Sequence, residues 1–528
     1  MKIKVLVSDN LHQSGVDIFA NNPNIEVVVK TGMAPEELLQ VVQDVNGLVI
    51  RSATKVTKAV IEAAKHLKVV GRAGTGLDNV DIPEATKHGV VVMNTPGGNT
   101  VTTGEHAISM MLALARNIPQ AAHSMREGRW EKKRFQGREV YNKTLGIIGM
   151  GRIGTVVATR AQGLKMRILG YDPFVKKEMV TSCGVEMVSL DELFARSDFI
   201  TLHTPKTKDT AHVINRDAFK KMKKGVMIVN CARGGLIDEA ALVDALQEGI
   251  VAGAALDVFE QEPPVGSPLV LMGNVICTPH LGASTEEAQE NVAVAIAEQM
   301  VDYLVNATVK NAVNAPSVSG EALIQLKPYL TLAEAMGSFQ AQINEGPIDS
   351  VTIEYIGEVS KLDITPLRHS ILRGLLYPVM RDEVNYVNAP SLAKARGIHL
   401  TESTIESAED FTTLIRLTVK SGNQQNVLSG TIFGKYEPRL VRINEFRLEA
   451  IPEGHLLFIY NTDKPGVIGA IGTTIGKHDI NIARMQVGQE KERGQNVILL
   501  TTDTPITSEC LAEVRALPHV AKAQALDL

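Results

Sequence analysis

Short β-branched runs separated by helix-like stretches pattern the first hundred residues: Lys4-Val5-Leu6-Val7, Ile25 to Val29, Gly47 to Ile50, Lys68 to Val70 and Val90 to Val92. That alternation predicts a parallel α/β sheet. Residues 99–116 form a long apolar helical stretch between two lobes, with Met110 and Met111 expected in its packed face. The βα alternation resumes with Leu145 to Ile148 and continues through Ile168 to Tyr171, Phe199 to Leu202, Val226 to Val229, Gly253 to Leu256 and Val275-Ile276, as in a doubly wound nucleotide domain. One more long helix is expected over 285–305. A turn-rich linker follows, from Asn311 to Ser317.

The pattern then changes. Residues 317–452 mix helices with strands such as Ser350 to Tyr355 and Thr412 to Leu417, an α+β arrangement. From Gly454 the order is strand (Leu456 to Tyr460), helix opened by Pro465, strand (Ile480 to Ala483), strand (Asn496 to Leu500), helix, and a short strand near Ala521. This βαββαβ order is ferredoxin-like. The expected units are residues 1–98 with 285–316 as a discontinuous substrate domain, 99–284 inserted in it as a Rossmann domain, 317–452, and 453–528.

Length agrees with several units, since 528 residues correspond to three or four domains. The net charge of −5 is spread along the chain without a basic tail or stripe, which gives no reason to expect nucleic acid or an anionic membrane as partner. Cys183, Cys231, Cys277 and Cys510 have neither metal-ligand spacing nor a dense disulfide pattern, so no metal is expected and a reducing compartment fits. Met1 to Val7 run straight into a strand with no signal-peptide core, and no stretch reaches membrane-spanning length. A cytoplasmic protein is the expectation.

The candidate chemistry begins at Leu145-Gly146-Ile147-Ile148-Gly149-Met150-Gly151-Arg152-Ile153-Gly154, with Asp172 ending the next strand. Gly149 would make the turn, Gly151 admit a pyrophosphate to the backbone, and Gly154 allow close helix–strand packing, while the helix N-terminus offers free N–H groups. Asp172 would accept from ribose hydroxyls and repel a 2′-phosphate, favouring NAD over NADP. Three later loops add polar groups. Arg233 in Asn230 to Gly235 would hold a carboxylate in a planar fork, although a lone arginine is more often a surface residue. The Asp257 to Pro264 segment carries Glu260 and Glu262 and reads equally as a solvated acidic loop, which is where Glu260 is placed. His280, stiffened by Pro279, suits proton transfer near neutral pH, although a lone histidine is usually structural. Together these residues make a cofactor cradle, a carboxylate clamp, a base, and an acid to orient the base.

With Arg233 in "NCARGG", Glu262 in "DVFEQEPP" and His280 in "TPHLGAST" following "GMGRIG", the chain resembles the D-2-hydroxyacid dehydrogenases. "RAGTGLDNVD" at 72–81 and "VMNTPGGNT" at 92–100 resemble the 3-phosphoglycerate dehydrogenase branch, and the C-terminal segment is similar to its regulatory ACT domain. The resemblance implies the long form, with an allosteric-substrate-binding domain over 317–452. It implies NAD-dependent oxidation of D-3-phosphoglycerate to 3-phosphooxypyruvate, the entry to phosphorylated serine biosynthesis, with 2-oxoglutarate reduction as a side activity. His280 would be the base, Glu262 its orienter, and Arg233 the group on the substrate carboxylate, helped by Asn99 and the backbone near Gly97 and Gly98. Arg51 and Arg72 resemble phosphate contacts. Thr75, Arg152, Ile153, Thr204, Cys231, Ala232, Asp257, His280 and Ala283 carry over as cofactor contacts. Lys132, Lys133 and Arg134 read as a solvated turn, although the family's corresponding loop reaches a neighbouring subunit.

The resemblance also implies a homo-oligomer, dimer or tetramer, and an amino-acid effector, serine by the logic of feedback, at Asn461 and Asp463 with Asn481 nearby. The histidine and asparagine of serine-regulated relatives are replaced here by Asn461 and Asp463. Arg439, Arg442 and Arg447 resemble a basic patch for an anionic ligand and read equally as a solvated strand face. Two other functions fit less well: a glyoxylate or hydroxypyruvate reductase, against which Arg51, Arg72 and the extra domains count, and a non-catalytic NAD-sensing protein, which would not need the triad.

Overall fold

The computed structural model describes residues 2–175, 184–316, 320–407, 410–490 and 494–528; Cys183 and Ser317 lie outside them. The first sheet contains β1 (Ile3–Val7), β2 (Ile25–Val29), β3 (Gly47–Ile50), β4 (Val69–Arg72) and β5 (Val91–Met93), all parallel, in the order β2-β1-β3-β4-β5. This is the flavodoxin-like order. The apolar runs of β3 and β5 and Val5 to Val7 of β1 are buried between helices on both faces, whereas the edge strand β2 leaves Val29 exposed. The long helix Glu286–Asn306 returns to this sheet, laying Val292, Ile296, Ala297 and Met300 in one core with Val5, Val7, Val49 and Val69.

The second sheet contains β6 (Thr144–Ile148), β7 (Arg167–Tyr171), β8 (Val185–Met187), β9 (Phe199–Leu202), β10 (Val226–Asn230), β11 (Val251–Leu256) and β12 (Val275–Cys277). They are parallel in the order β12-β11-β10-β9-β6-β7-β8. The order reverses direction beside β6, and such a switch point opens the crevice in which α/β sheets bind ligands. Helix Thr100–Arg116 covers one face, burying Met110 and Met111 against Leu145, Ile147 and Val229.

The third sheet is mixed: β13 (Ser350–Gly357), β14 (His399–Ile405), β15 (Thr413–Ser421), β16 (Gln424–Phe433), β17 (Glu437–Ile443) and β18 (Phe446–Ala450). Helices Gly320–Ile343 and Thr365–Met380 cover one face. The fourth contains β19 (His455–Thr462), β20 (Ile482–Glu490), β21 (Gln495–Thr502) and β22 (Val520–Asp527), antiparallel in the order β20-β21-β19-β22. With helices Val467–Lys477 and Ser508–Ala516 it makes the expected ferredoxin-like unit. Two corrections follow: β20 runs over 482–490 rather than 480–483, and β22 is eight residues long rather than short.

The last two units share a core. Leu456, Phe458, Val497, Leu499 and Leu526 belong to the same buried cluster as Phe339, Leu417 and Ile443. The Phe458 ring meets Phe339 edge-on at 5.5 Å and Tyr460 at 4.9 Å. Replacing Phe458 with alanine should therefore cost about 3–5 kcal/mol, and differential scanning calorimetry should show both units destabilised together. A C-terminal transition that moves alone would contradict a shared core.

Candidate active site

Gly149 follows β6 with φ of 96°, a conformation that side-chain-bearing residues rarely adopt. A Cβ there would lie 2.6 Å from the His203 carbonyl oxygen. One on Gly154 would lie 2.0 Å from the Gly149 carbonyl oxygen, whereas one on Gly151 meets nothing within 4 Å. Thus two glycines are required by packing and the third keeps the approach to helix Arg152–Gly163 open. Arg152 and Ile153 form that helix's first turn, whose N–H groups lack intrahelical partners.

Asp172, just past β7, accepts from the Met150 and Phe174 N–H groups, both at 2.9 Å, which fixes its carboxylate beside the turn. Among the described residues, the buried Thr204 hydroxyl beside Gly149 has no hydrogen-bond partner. An open backbone cradle, an anchored acid and an unsatisfied hydroxyl fit the pyrophosphate and ribose of a dinucleotide.

The second group lies beyond β10, β11 and β12. His280 Nδ1 is 2.8 Å from Glu262 Oε2, and Glu262 Oε1 accepts from the Phe259 N–H at 3.1 Å. The hydrogen bond to Glu262 raises the His280 pKa above its ordinary value, against burial and the nearby charge of Arg233. Burial pushes the Glu262 carboxyl up, but its bonds to His280 and Phe259 outweigh this and hold it below the ordinary range. Both shifts favour an imidazolium–carboxylate pair.

His280 is itself held by its loop. Its φ is 56°, and its N–H bonds the carbonyls of Asp257 and Thr278. The Asp257 side chain is 0% exposed; it accepts from the Thr278 hydroxyl at 2.6 Å and from the Leu281 and Gly282 N–H groups at 2.7 and 2.8 Å, with His106 Nε2 at 3.3 Å. Burial raises its pKa, but these partners outweigh it and leave the carboxyl low. Asp257, expected among the cofactor contacts, thus has its carboxylate turned into the loop that carries His280. His106 was missed because one histidine in a long helix gives no signal until the fold brings Asp257 to it. Ala283 follows in the same loop.

Arg233 donates from Nε to Asp78 at 2.9 Å and from Nη1 to the Ala232 carbonyl at 2.7 Å; its own carbonyl accepts from Asn230 Nδ2. It faces the first sheet's arginines. Arg72 Nε donates to the Arg51 carbonyl at 3.3 Å, and Arg51 Nη1 donates to the Asn10 carbonyl at 3.0 Å. Burial and then the Arg233 charge bring the Arg72 pKa down to about 10. Three guanidinium groups thus converge between the lobes. Thr75 donates its hydroxyl to Asn99 Oδ1 at 2.7 Å, bringing those two expected residues together at the cleft. Cys231 is buried, and burial pushes its thiol pKa up, so it lines the site without the thiolate character of a nucleophile. Asp78 was another residue missed.

Elsewhere the expected groupings are only partly assembled. Asn461 is buried beside its cross-strand neighbour Asn496, and among the described residues both side-chain oxygens lack partners. Asp463 follows the same strand end, its N–H bonded to the Gly494 carbonyl. Asn481 is not near them. Helix Val467–Lys477 carries the chain back along the sheet, so β20 starts level with His455, and Asn481 bonds Asp503 at 2.7 Å. Six strand positions separate His455 from Asn461 on β19, roughly 20 Å. In the third sheet Arg442 and Arg447 line a ≈ 710 Å³ cavity with Arg416, Asp410 and Glu449, while Arg439 pairs with Glu437 at 2.6 Å and lies 3.9 Å from Glu449 at the cavity's edge. Arg134 pairs with Glu131 at 3.1 Å on an exposed turn. The described residues contain no cluster of three or more potential metal ligands, and no helix long and apolar enough to cross a membrane.

Comparison with known proteins places this geometry. Residues 108–282 match the model for the NAD binding domain of D-isomer specific 2-hydroxyacid dehydrogenases, residues 325–444 that for the D-3-phosphoglycerate dehydrogenase intervening domain, and residues 455–519 that for the ACT domain. The chain is 45% identical over 529 residues to the D-3-phosphoglycerate dehydrogenase of Archaeoglobus fulgidus, covering 100% of both chains. It belongs to the D-3-phosphoglycerate dehydrogenase family. The family protein of Methanocaldococcus jannaschii is 44% identical, again over 100% of both chains. Among solved structures, a Thermus thermophilus protein at 34% identity and TM-score 0.55 matches 59% of this chain and 100% of its own. The D-lactate dehydrogenase of Escherichia coli, at 29% identity and TM-score 0.54, also matches 59% of this chain and 100% of its own. The chain is accordingly an NAD-dependent oxidoreductase with the family's intervening and ACT domains.

Proposed function

We propose that this dehydrogenase oxidises D-3-phosphoglycerate to 3-phosphooxypyruvate, committing it to serine biosynthesis. The observation that carries the reading is the convergence of Arg51, Arg72 and Arg233 opposite the 2.8 Å His280–Glu262 pair. A simple 2-hydroxy acid needs one carboxylate partner; a phosphorylated one has a second anion to hold, and the first sheet supplies two more guanidinium groups for it.

In this reading Arg233 takes the substrate carboxylate, and Arg51 and Arg72 take the phosphate. Glu262 accepts from His280 Nδ1, which leaves Nε2 to receive the C2 hydroxyl proton. Gly149, Gly151, Arg152, Ile153, Gly154 and Asp172 hold NAD, with Thr75, Thr204, Cys231, Ala232 and Ala283 along its path. Bound NAD supplies the acceptor for the C2 hydride. As hydride leaves C2, the new carbonyl takes the electrons of the broken O–H bond, and Arg233 beside it stabilises that oxygen. Reduction runs through the same groups with His280 as the acid.

The organisation that serves this chemistry is a substrate domain of residues 1–98 and 285–316, an inserted NAD domain of 99–284, an intervening domain of 317–452 and an ACT domain of 453–528. A cytoplasmic homo-oligomer with an amino-acid effector at Asn461 and Asp463 completes the reading. Serine titration tests the effector: an unchanged rate across millimolar serine would assign the ACT unit to another ligand or to assembly.

Substrate identity is tested by following NADH formation from D-3-phosphoglycerate with the oxo product trapped. Arg72→Ala should lower kcat/KM for the phosphorylated substrate by roughly 10- to 100-fold, the worth of one charge-assisted contact. Reduction of unphosphorylated 2-oxo acids should change far less. Equal losses on both would remove the phosphate assignment.

A further inference from the structure

The clamp arginine is oriented by a residue on the opposite lobe. Arg233 stands on the loop after β10, and Asp78, 155 positions earlier, stands on the loop after β4 of the first sheet. Asp78 Oδ2 accepts from Arg233 Nε at 2.9 Å, and Arg233 Nη1 turns back onto the Ala232 carbonyl at 2.7 Å. Among the described residues Nη2 donates no hydrogen bond, and it lies against Gly76, where a Cβ would come within 1.9 Å of it. With Nε and Nη1 anchored, the plane of the guanidinium is set and Nη2 remains for a ligand.

Neither stability nor charge accounts for an acid here. The Asp78 side chain is 64% exposed and that of Arg233 31%. Such a pair contributes only about 0–1 kcal/mol to folding. An acid beside a site for a multiply charged anion also opposes ground-state binding. Orientation is the contribution that remains. We propose that Asp78 is a positioning residue that locks the Arg233 guanidinium plane across the cleft, so that the carboxylate clamp is complete only when the two lobes meet. This rests on the reading of Arg233 as the group that holds the substrate carboxylate.

The test is a double-mutant cycle on the full chain with D-3-phosphoglycerate and NAD, combining Asp78→Ala with Arg233→Gln at enzyme concentrations high enough to follow the slow variants. Asp78→Asn and an NADH fluorescence titration accompany it. Asp78→Ala should lower kcat roughly 30-fold, within the 10²-fold that a misplacement of about 1 Å costs. KM should stay within about threefold and NADH affinity should be unchanged. Asp78→Asn, whose amide oxygen still accepts from Nε, should recover most of the loss. In the Arg233→Gln background Asp78→Ala should have almost no further effect, because the group it acts through is gone. A near-normal kcat for Asp78→Ala, additive losses in the cycle, or a lower KM with kcat held would each overturn the proposal. A wild type that forms no NADH from D-3-phosphoglycerate would instead overturn the reading on which it rests.

Discussion

His280→Ala is expected to lower kcat with D-3-phosphoglycerate by about 10²- to 10⁴-fold, the usual contribution of a positioned general base. NADH should still bind, because the fingerprint glycines and Asp172 are built on β6 and β7, outside the 278–283 loop. The pH profile gives a second, independent readout. Oxidation requires neutral His280, and the Glu262 hydrogen bond raises its pKa above the ordinary imidazole value. The acid limb of kcat/KM for oxidation should therefore lie above about 6.5, with activity lost as pH falls through it. Reduction requires the protonated ring and should be lost as pH rises through the same value. Glu262→Gln removes the anion that favours imidazolium, so both limbs should move to lower pH. Unmoved limbs would mean that the titrating group is not His280, and a His280→Ala variant with near-normal turnover would remove the histidine from the chemistry.

Much of this site was legible in the sequence because its parts are local. A glycine turn between a strand and a helix, an acid at the next strand end, and loops at the ends of β10, β11 and β12 are each readable within ten residues, and parallel topology then forces all of them to one edge of the sheet. Partners made by tertiary approach were not legible. Asp78 stands in the quoted "RAGTGLDNVD" segment, yet its bond to Arg233 exists only because two lobes meet.

Asn481 failed for a related reason. The resemblance implies Asn481 near Asn461, whereas within one chain a strand–helix–strand unit returns to the end of the sheet from which it started and leaves the two apart. Of the strands over 424–450, those around Arg439, Arg442 and Arg447 were legible only as a solvated strand face, and β16 was not named, because it begins with the exposed Gln424 and Gln425 and no apolar run opens it. The Phe458 contact that joins the last two units likewise depends on which face of β19 turns to Phe339.

Gly151→Val and Gly154→Val should fail in opposite ways, although they alter the same motif. Gly151 has an extended backbone, φ −74° and ψ −158°, and a Cβ there meets nothing, so the valine should fold without strain. It fills the space through which a pyrophosphate would approach the first turn of helix Arg152–Gly163. Loss of even one charge-assisted hydrogen bond, at about 1.5–3 kcal/mol, weakens binding roughly 10- to 100-fold, and displacement of the whole pyrophosphate should exceed that. Gly154→Val is different in kind, because its Cβ would lie 2.0 Å from the Gly149 carbonyl oxygen, a backbone atom that cannot turn aside. Overpacking of that severity should destabilise the NAD domain by about 3 kcal/mol or more. NADH titration and thermal unfolding of both variants separate the two effects: Gly151→Val should keep its Tm and lose the cofactor, and Gly154→Val should lose Tm first. If Gly151→Val bound NADH with wild-type affinity, the cofactor's pyrophosphate would not lie at this turn, and the Thr204 hydroxyl beside it, without a partner among the described residues, would need another ligand.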